Sequence, residues 1–354
     1  MSKGGLSYIR DIQKSQKKGL KFMKKTRILS LLLVFCLMLV SSTTAMAANT
    51  QDVQVSMKKI DVLKNSTLEI SHSVDGFEYK ETITNINLFK DSIKRAYPQI
   101  DNYELGKTIL LSLGDTEEFI ATLPREKVIE AVDYTSAIRT EVYLDESENG
   151  ELTEVTREQY LQSKELVTLS DYDRDETFGD LVLKSTAYER SPSYALSGRS
   201  YFTIRGEVEW VGFPNFQMND LLVISSSGNI DNNYSHYASG RWTHSLGTTI
   251  NDTAYLYDED GGDGKLISLS NPNIYGIGAE FPLGTGQQSQ VLVDKVYCYY
   301  GVSCQKDISC QVSYAHAILA WNPSFSISSG GSVSFGGLGI QRQTFHANAF
   351  TLYH

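Results

Sequence analysis

From about residue 181 to the C-terminus the sequence has no stretch of helical hydrophobic spacing, only short runs in which apolar and polar residues alternate. Tyr, Phe, Ser, Thr and Gly dominate these runs. A chain patterned with period two and punctuated by Gly can bury its apolar side chains only by building sheets. Strands are expected at 200–210, 220–225, 252–257, 265–269, 290–300, 309–321, 324–328, 332–336 and 341–352. So many short strands in one continuous segment predict an antiparallel sandwich or jelly-roll-like domain, with a closed barrel as the alternative.

The stretch NPSFSISSGGSVSFGG, residues 322–337, sharpens that expectation. A two-residue loop at Ser329-Gly330 would pair Phe325 with Ser334, apolar against polar. A three-residue loop, Ser329-Gly330-Gly331, pairs Ile327 with Val333 and Phe325 with Phe335 and gathers one apolar face. It also puts Gly331 where a left-handed residue is needed. Each arm is then about five residues, whereas a membrane-crossing strand needs roughly 9–11. The hairpin is therefore expected to lie on a soluble sheet.

The first half differs. Residues 49–177 hold 27 acidic and 14 basic residues, against 14 and 9 from 178 onward. Phe89, Ile93, Ala96 and Tyr97 share a helical face that stops at Pro98, and a second helix is expected from Asn102 to Leu111. In GDTEEFIATL, Asp115 and Glu118 have capping-box spacing, and Pro124 opens a further helix with Val128, Ile129 and Val132 on its stripe. Strand-like residues flank Asn149-Gly150, a type I′ hairpin signal. The expected organisation is α+β: a small acidic helical and hairpin domain at 48–162, a polar linker at 163–180, and a β-sandwich at 181–354.

Export is expected from the N-terminus. Met23-Lys24-Lys25-Thr26-Arg27 is basic, Ile28–Val40 is apolar, and Ala45-Met46-Ala47 is an A-x-A cleavage site. Residues 1–47 therefore read as a signal peptide, with Met23 as a candidate true start, and the mature protein as secreted, in association with the cell wall as one variant. Nine of 32 Lys and Arg but one of 42 Asp and Glu precede Ala48, leaving a formal charge of −18 after it. Such a chain repels phosphate backbones and anionic headgroups, so no nucleic-acid partner is expected. No later segment has the ~18 apolar residues of a membrane span.

Few residues point to chemistry. Cys298, Cys304 and Cys310 are each six apart, and outside the cell one structural disulfide is expected, either Cys298–Cys310 across a hairpin or Cys304–Cys310. The loop YDEDGGDGK clusters Asp258, Asp260 and Asp263 as a candidate calcium site, with an acidic turn as the plainer alternative and no other cofactor expected. Glu207 and Glu209 share a strand face and could serve glycoside hydrolysis if their carboxyls flank a cleft. His316, on an apolar strand, could act as a base only with a nucleophile in reach. His236 and His244 flank YASGRWT and could meet across a hairpin. Trp210, Phe213, Trp242 and Trp321 are candidate ligand-binding aromatics, since aromatic area on a β face suits sugar or protein surfaces.

The segments VSYAHAILAW and SISSGGSVSFGG together resemble a family of uncharacterised secreted proteins of Gram-positive bacteria. In these a terminal β domain carries an S-Y-x-H-A-like strand followed by a Ser/Gly-rich strand pair. The matching residues are Ser313, Tyr314, His316, Ala317, Gly330, Gly331, Val333 and Phe335. LGDTEEFIATLPREKVIEAV is similar to helical segments of such precursors. The resemblance implies secretion and a β fold, and no activity; the cysteine triplet is not part of its pattern. The leading expectation is a secreted, non-enzymatic module that binds an extracellular glycan, cell wall or protein surface. A membrane-active, bacteriocin-like effector and a secreted hydrolase are the alternatives.

Overall fold

The computed structural model describes residues 67–352, except 75–76, 148–149, 163–179, 212–213, 215–217, 245–247, 257–263, 285–290, 306–307, 318–323, 330 and 337–341. The expected signal peptide and most of the expected linker lie outside the described residues. Among these residues, no helix is long and apolar enough to cross a membrane.

The chain begins with β1 (Thr67–Val74) and β2 (Phe77–Asn85), then α1 (Ile86–Ala96), α2 (Asn102–Ser112), α3 (Glu117–Thr122) and α4 (Arg125–Glu130). A single 3₁₀ turn, Ala131–Asp133, leads into β3 (Tyr134–Glu146) and β4 (Leu152–Val155). There follow β5 (Asp180–Arg190), β6 (Ser200–Val211), β7 (Asn219–Ser226), β8 (Asn229–Ile230), β9 (Tyr237–His244) and β10 (Thr249–Tyr255). The last elements are β11 (Ser268–Asn273), β12 (Gly276–Pro282), β13 (Val291–Cys304), β14 (Ile308–Ala317), β15 (Ser324–Ile327), β16 (Val333–Gly336) and β17 (Arg342–Leu352).

The architecture is mainly antiparallel β. A large sheet runs β1-β2-β3-β5-β6-β13-β9-β10, with β4 added to β3 and β8 to β13. A second sheet runs β11-β12-β7-β14-β17. Period-two alternation explains how they meet. Phe202, Ile204, Val208 and Trp210 of β6 and Val296, Cys298 and Tyr300 of β13 share one apolar core with Leu222 and Ile224 of β7, Ile277 and Ala279 of β12, and Val312 and Tyr314 of β14. The other face of the large sheet is covered by the helices, whose Ile86, Phe89, Leu105, Ile109, Phe119 and Val128 pack against Tyr188, Tyr237, Tyr297 and Tyr299. The two-domain division is therefore corrected. β3 and β5, on either side of 163–179, pair from Tyr134 with Arg190 to Asp145 with Asp180, and Val62–His354 is one compact unit.

The hairpin forms in the expected register. Phe325 pairs with Phe335 and Ile327 with Val333, Ser328 N donates to the Ser332 carbonyl (2.9 Å), and Gly331 has φ of 82°. It packs on the outer face of the second sheet with Leu221, Val223 and Ala315. Phe325 occupies the space above Gly278 that any side chain on β12 would fill. The hairpin after β3 uses the same device in place of the expected type I′ turn: Ser147 N donates to the Glu151 carbonyl (2.8 Å) and Gly150 has φ of 76°.

Helix starts hold one correction. The cap of α3 is Thr116, whose hydroxyl accepts from Phe119 N (3.2 Å), not Asp115. Asp115 turns inward and receives both Arg205 terminal nitrogens of β6, at 2.8 and 2.7 Å. A carboxylate beside a buried guanidinium gains more from a two-point ion pair than from capping one exposed turn.

Candidate functional site

Two clusters that carry the residue types of catalysis are locked. Glu207 and Glu209 do lie side by side on β6, but Lys184 of β5 and Lys295 of β13 each bridge both carboxylates, at 2.9–3.1 Å. Burial opposes ionisation of Glu207, yet Lys184, Lys295 and Arg205 hold it well below the usual carboxylate range. A general acid must carry a proton at working pH, and this residue does not.

His316 is 1% exposed and stands between two carboxylates at one end of the inter-sheet core. Its Nδ1 lies 3.1 Å from Asp220 Oδ2 and its Nε2 3.1 Å from Glu146 Oε1. Asp220 also accepts from the Tyr314 hydroxyl and from Ala317 N, while Trp210 Nε1 donates to the Tyr314 oxygen at 3.1 Å. Burial disfavours the imidazolium, but the charge and hydrogen bonds of Asp220, then those of Glu146, raise its pKa to about 10. A histidine that keeps its proton at neutral pH is no general base. The cluster instead ties β14 and β7 of one sheet to β3 of the other.

The predicted binding aromatics turn inward as well. Trp210 is 3% exposed, and Trp242 is 0% exposed with its Nε1 donating to the Pro282 carbonyl (2.9 Å). Both are core residues because their strands are buried on the inter-sheet face. Phe213 and Trp321 lie outside the described residues, as do Asp258, Asp260 and Asp263. Cys298, Cys304 and Cys310 are buried, and no disulfide joins them among the described residues. The reason is topological: β13 and β14 do not form the expected hairpin. β13 pairs with β6, β8 and β9 in the large sheet, and β14 with β7 and β17 in the other. Burial pushes the Cys298 and Cys310 thiols up, away from the reactive thiolate. His236 immediately precedes β9 and His244 ends it, so one strand separates them instead of a hairpin bringing them together.

One open site brings together segments distant in sequence. A cavity of about 220 Å³ lies between α4 with its 3₁₀ turn, the loop after β5, and the turn before β9. Its lining includes Lys127, Glu130, Asp133, Arg190, Tyr194 and Asn233. The frame is braced on every side. Arg190 donates to Asp231 Oδ2 (2.6 Å) and to the Tyr194 hydroxyl (3.0 Å), which itself donates to Asp231 Oδ2 (2.6 Å). Lys127 Nζ reaches Glu130 Oε2 and the Ser235 carbonyl, both at 3.0 Å. The Lys127 ammonium and the Arg190 guanidinium also sit over the Tyr234 ring, at 4.2 and 4.5 Å from its centre. Burial lowers the Lys127 pKa, partly offset by Glu130.

Asp231 shapes the turn: its Oδ1 accepts from Asn233 N (3.1 Å), and its carbonyl accepts from Tyr234 N. Behind it, Gly301 N donates to His236 Nδ1 (3.0 Å), so Nε2 carries the proton that meets the Asp231 carbonyl (3.1 Å). Burial keeps this histidine neutral, with its pKa lowered to about 4. At the rim, Asp133 and Asn233 are exposed and the Tyr194 ring is 36% exposed, edge-on to Tyr201 at 5.5 Å. Burial, then the Glu130 charge, raises the Asp133 carboxyl. Of these residues the sequence alone points only to His236, and there as a partner for His244. The available signal was SPSYALSG, where Pro192 and Gly198 flank a Tyr in a short inter-strand loop, the kind of segment that displays an aromatic on the surface.

No family model matches this chain, and no curated protein does. Among solved structures it is similar to a DUF4466 family protein from Parabacteroides merdae, at 16% identity and a TM-score of 0.20 over 45% of this chain and 44% of that one. Another is a structure of manganese lipoxygenase of Gaeumannomyces graminis with part of zonadhesin of Komagataella pastoris, at 9% identity and a TM-score of 0.20. That match covers 62% of this chain and 89% of the other. Likeness at this level carries no argument about fold or function.

Proposed function

We propose that this chain is a secreted β-sandwich protein that acts by binding, at a glycan, cell-wall or protein surface outside the cell, and does not catalyse a reaction. The observation that carries the reading is the rim of the cleft. An aromatic ring, a carboxylate and a carboxamide stand open to solvent there, on a frame fixed by Arg190, Asp231, Lys127 and Glu130. Fixed polar groups around a small concavity are what recognition needs, because little ordering entropy is lost on binding. The charge after residue 47 agrees with an uncharged or cationic partner rather than a polyanion.

The export signal and the likeness to secreted Gram-positive proteins support the location. The four-residue arms of β15 and β16 do not favour membrane insertion, which takes strands of roughly 9–11 residues. The test is retention of the purified protein on immobilised glycans, purified cell walls and host-like protein surfaces. Saturable retention on at least one is expected, and no retention on any of them counts against the reading.

A further inference from the structure

The polar groups of the cleft fall into two sets. Arg190 is committed to Asp231 and Tyr194, and Lys127 to Glu130 and Ser235, so each buried cation already has its carboxylate. Among the described residues, the side chains of Asp133 and Asn233 have no hydrogen-bond partner, and Arg190 Nε, on a side chain 4% exposed, has no acceptor. What remains open to solvent is thus one anionic acceptor, one amide that both donates and accepts, and one aromatic ring.

Hydroxyl groups meet all of these, since each donates and accepts. A phosphate, sulfate or uronate would face Asp133 and Glu130 with no uncompensated cation in the lining to receive it. An ammonium would satisfy Asp133 but offer no acceptor to the Asn233 amide N–H groups. At about 220 Å³ the cavity is below the roughly 300–1,000 Å³ of sites for drug-sized ligands, so it holds a single ring.

Resting on the binding reading above, we infer that the cleft of Asp133, Arg190, Tyr194 and Asn233 takes one neutral, hydroxyl-rich sugar ring of a glycan. The C–H face of the sugar lies on the Tyr194 ring. Its hydroxyls donate to Asp133 and accept from the Asn233 carboxamide. The Tyr194 hydroxyl is not called on, because it is already held between Arg190 and Asp231.

The test titrates the purified protein with methyl glucoside, N-acetylglucosamine, glucosamine, glucuronate and inorganic phosphate, followed by NMR. A neutral sugar is expected to shift the Tyr194 and Asn233 signals saturably, and the two anions are not. Asp133→Ala, Asn233→Ala and Tyr194→Ala should each weaken neutral-sugar binding about tenfold or more; the first two change exposed rim side chains and keep the fold. Tighter binding of glucuronate, phosphate or glucosamine overturns the inference, as does neutral-sugar binding indifferent to the three variants. Retention on walls or protein surfaces that neutral sugars do not compete overturns it too, while leaving the binding reading intact. No binding in any arm overturns both.

Discussion

The large sheet is buried on both faces, and the two faces are built from different chemistry. Toward the second sheet β6 presents Phe202, Ile204, Val208 and Trp210; toward the helices it presents Thr203, Arg205, Glu207 and Glu209. β13 divides the same way, with Val296, Cys298 and Tyr300 on one side and Lys295, Tyr297 and Tyr299 on the other. The inter-sheet face holds by apolar area and close packing, with the His316 cluster at one end. The helix-facing side holds by pairing: Arg205 with Asp115, Lys184 and Lys295 with two glutamates, and stacked rings such as Tyr134–Tyr188 at 4.3 Å and Tyr237–Tyr299 at 4.6 Å. Apolar area is tolerant of detail, whereas pairing fixes position. The helical layer is thereby set in one place over the sheet, and the cleft at its edge inherits that definition.

Breaking a pair on the helix-facing side should give the largest effect. Asp115→Ala takes the two-point carboxylate from buried Arg205, leaving it only the Glu207 oxygen at 3.4 Å, and should cost about 3–5 kcal/mol, read from urea denaturation. The double change Asp115→Leu with Arg205→Met should recover most of that loss, since a buried pair replaced by packed apolar groups is often near neutral. In the inter-sheet core, Ile204→Ala should cost about 2–5 kcal/mol, and no second substitution should restore it except one that refills the cavity. If the Asp115 and Arg205 changes instead proved additive, the contrast between the faces would fail.

The two buried histidines should respond to pH with opposite signs. His316 has its pKa raised to about 10, so its stabilising contribution is full below the unfolded value of roughly 6.5 and is lost as pH rises toward 10. His236 is held neutral with its pKa lowered to about 4, so its contribution is full above roughly 6.5 and is lost as pH falls toward 4. Melting curves of His316→Gln and His236→Gln against the unaltered protein should show the alkaline slope reduced in the first and the acid slope in the second. The smallest effect on stability belongs to Asn233→Ala at the exposed rim, within about 0.5 kcal/mol, while binding falls.

The contrast also explains how much of the molecule is legible in its sequence. The β half and the Ser/Gly hairpin were legible because a half-exposed strand keeps its alternation, and the register followed from bringing Phe325 opposite Phe335. β5, β9 and β12 were not, for their residues are buried on both sides or replaced by Gly: β5 has nine buried positions in eleven, and Gly276 and Gly278 of β12 make room for Ile327 and Phe325. Period-two reasoning needs a wet face. The disulfide expectation fails because adjacency in sequence suggests a hairpin, whereas the chain crosses between sheets after Cys304. Trp210 and Trp242 showed how composition identifies aromatic area without saying which way it faces. The cleft was invisible for a different reason, its walls coming from residues near 130, 190 and 233 that only the sheet order brings together.

The central claim is that this braced cleft, and not the buried aromatics or the locked carboxylates, is the surface the protein uses. The most direct measurement compares wall and glycan retention of the unaltered protein with that of Tyr194→Ala, after matched circular dichroism and melting confirm that both are folded. The account predicts that retention is largely lost while the fold is kept. Retention unchanged by the loss of the Tyr194 ring would contradict it.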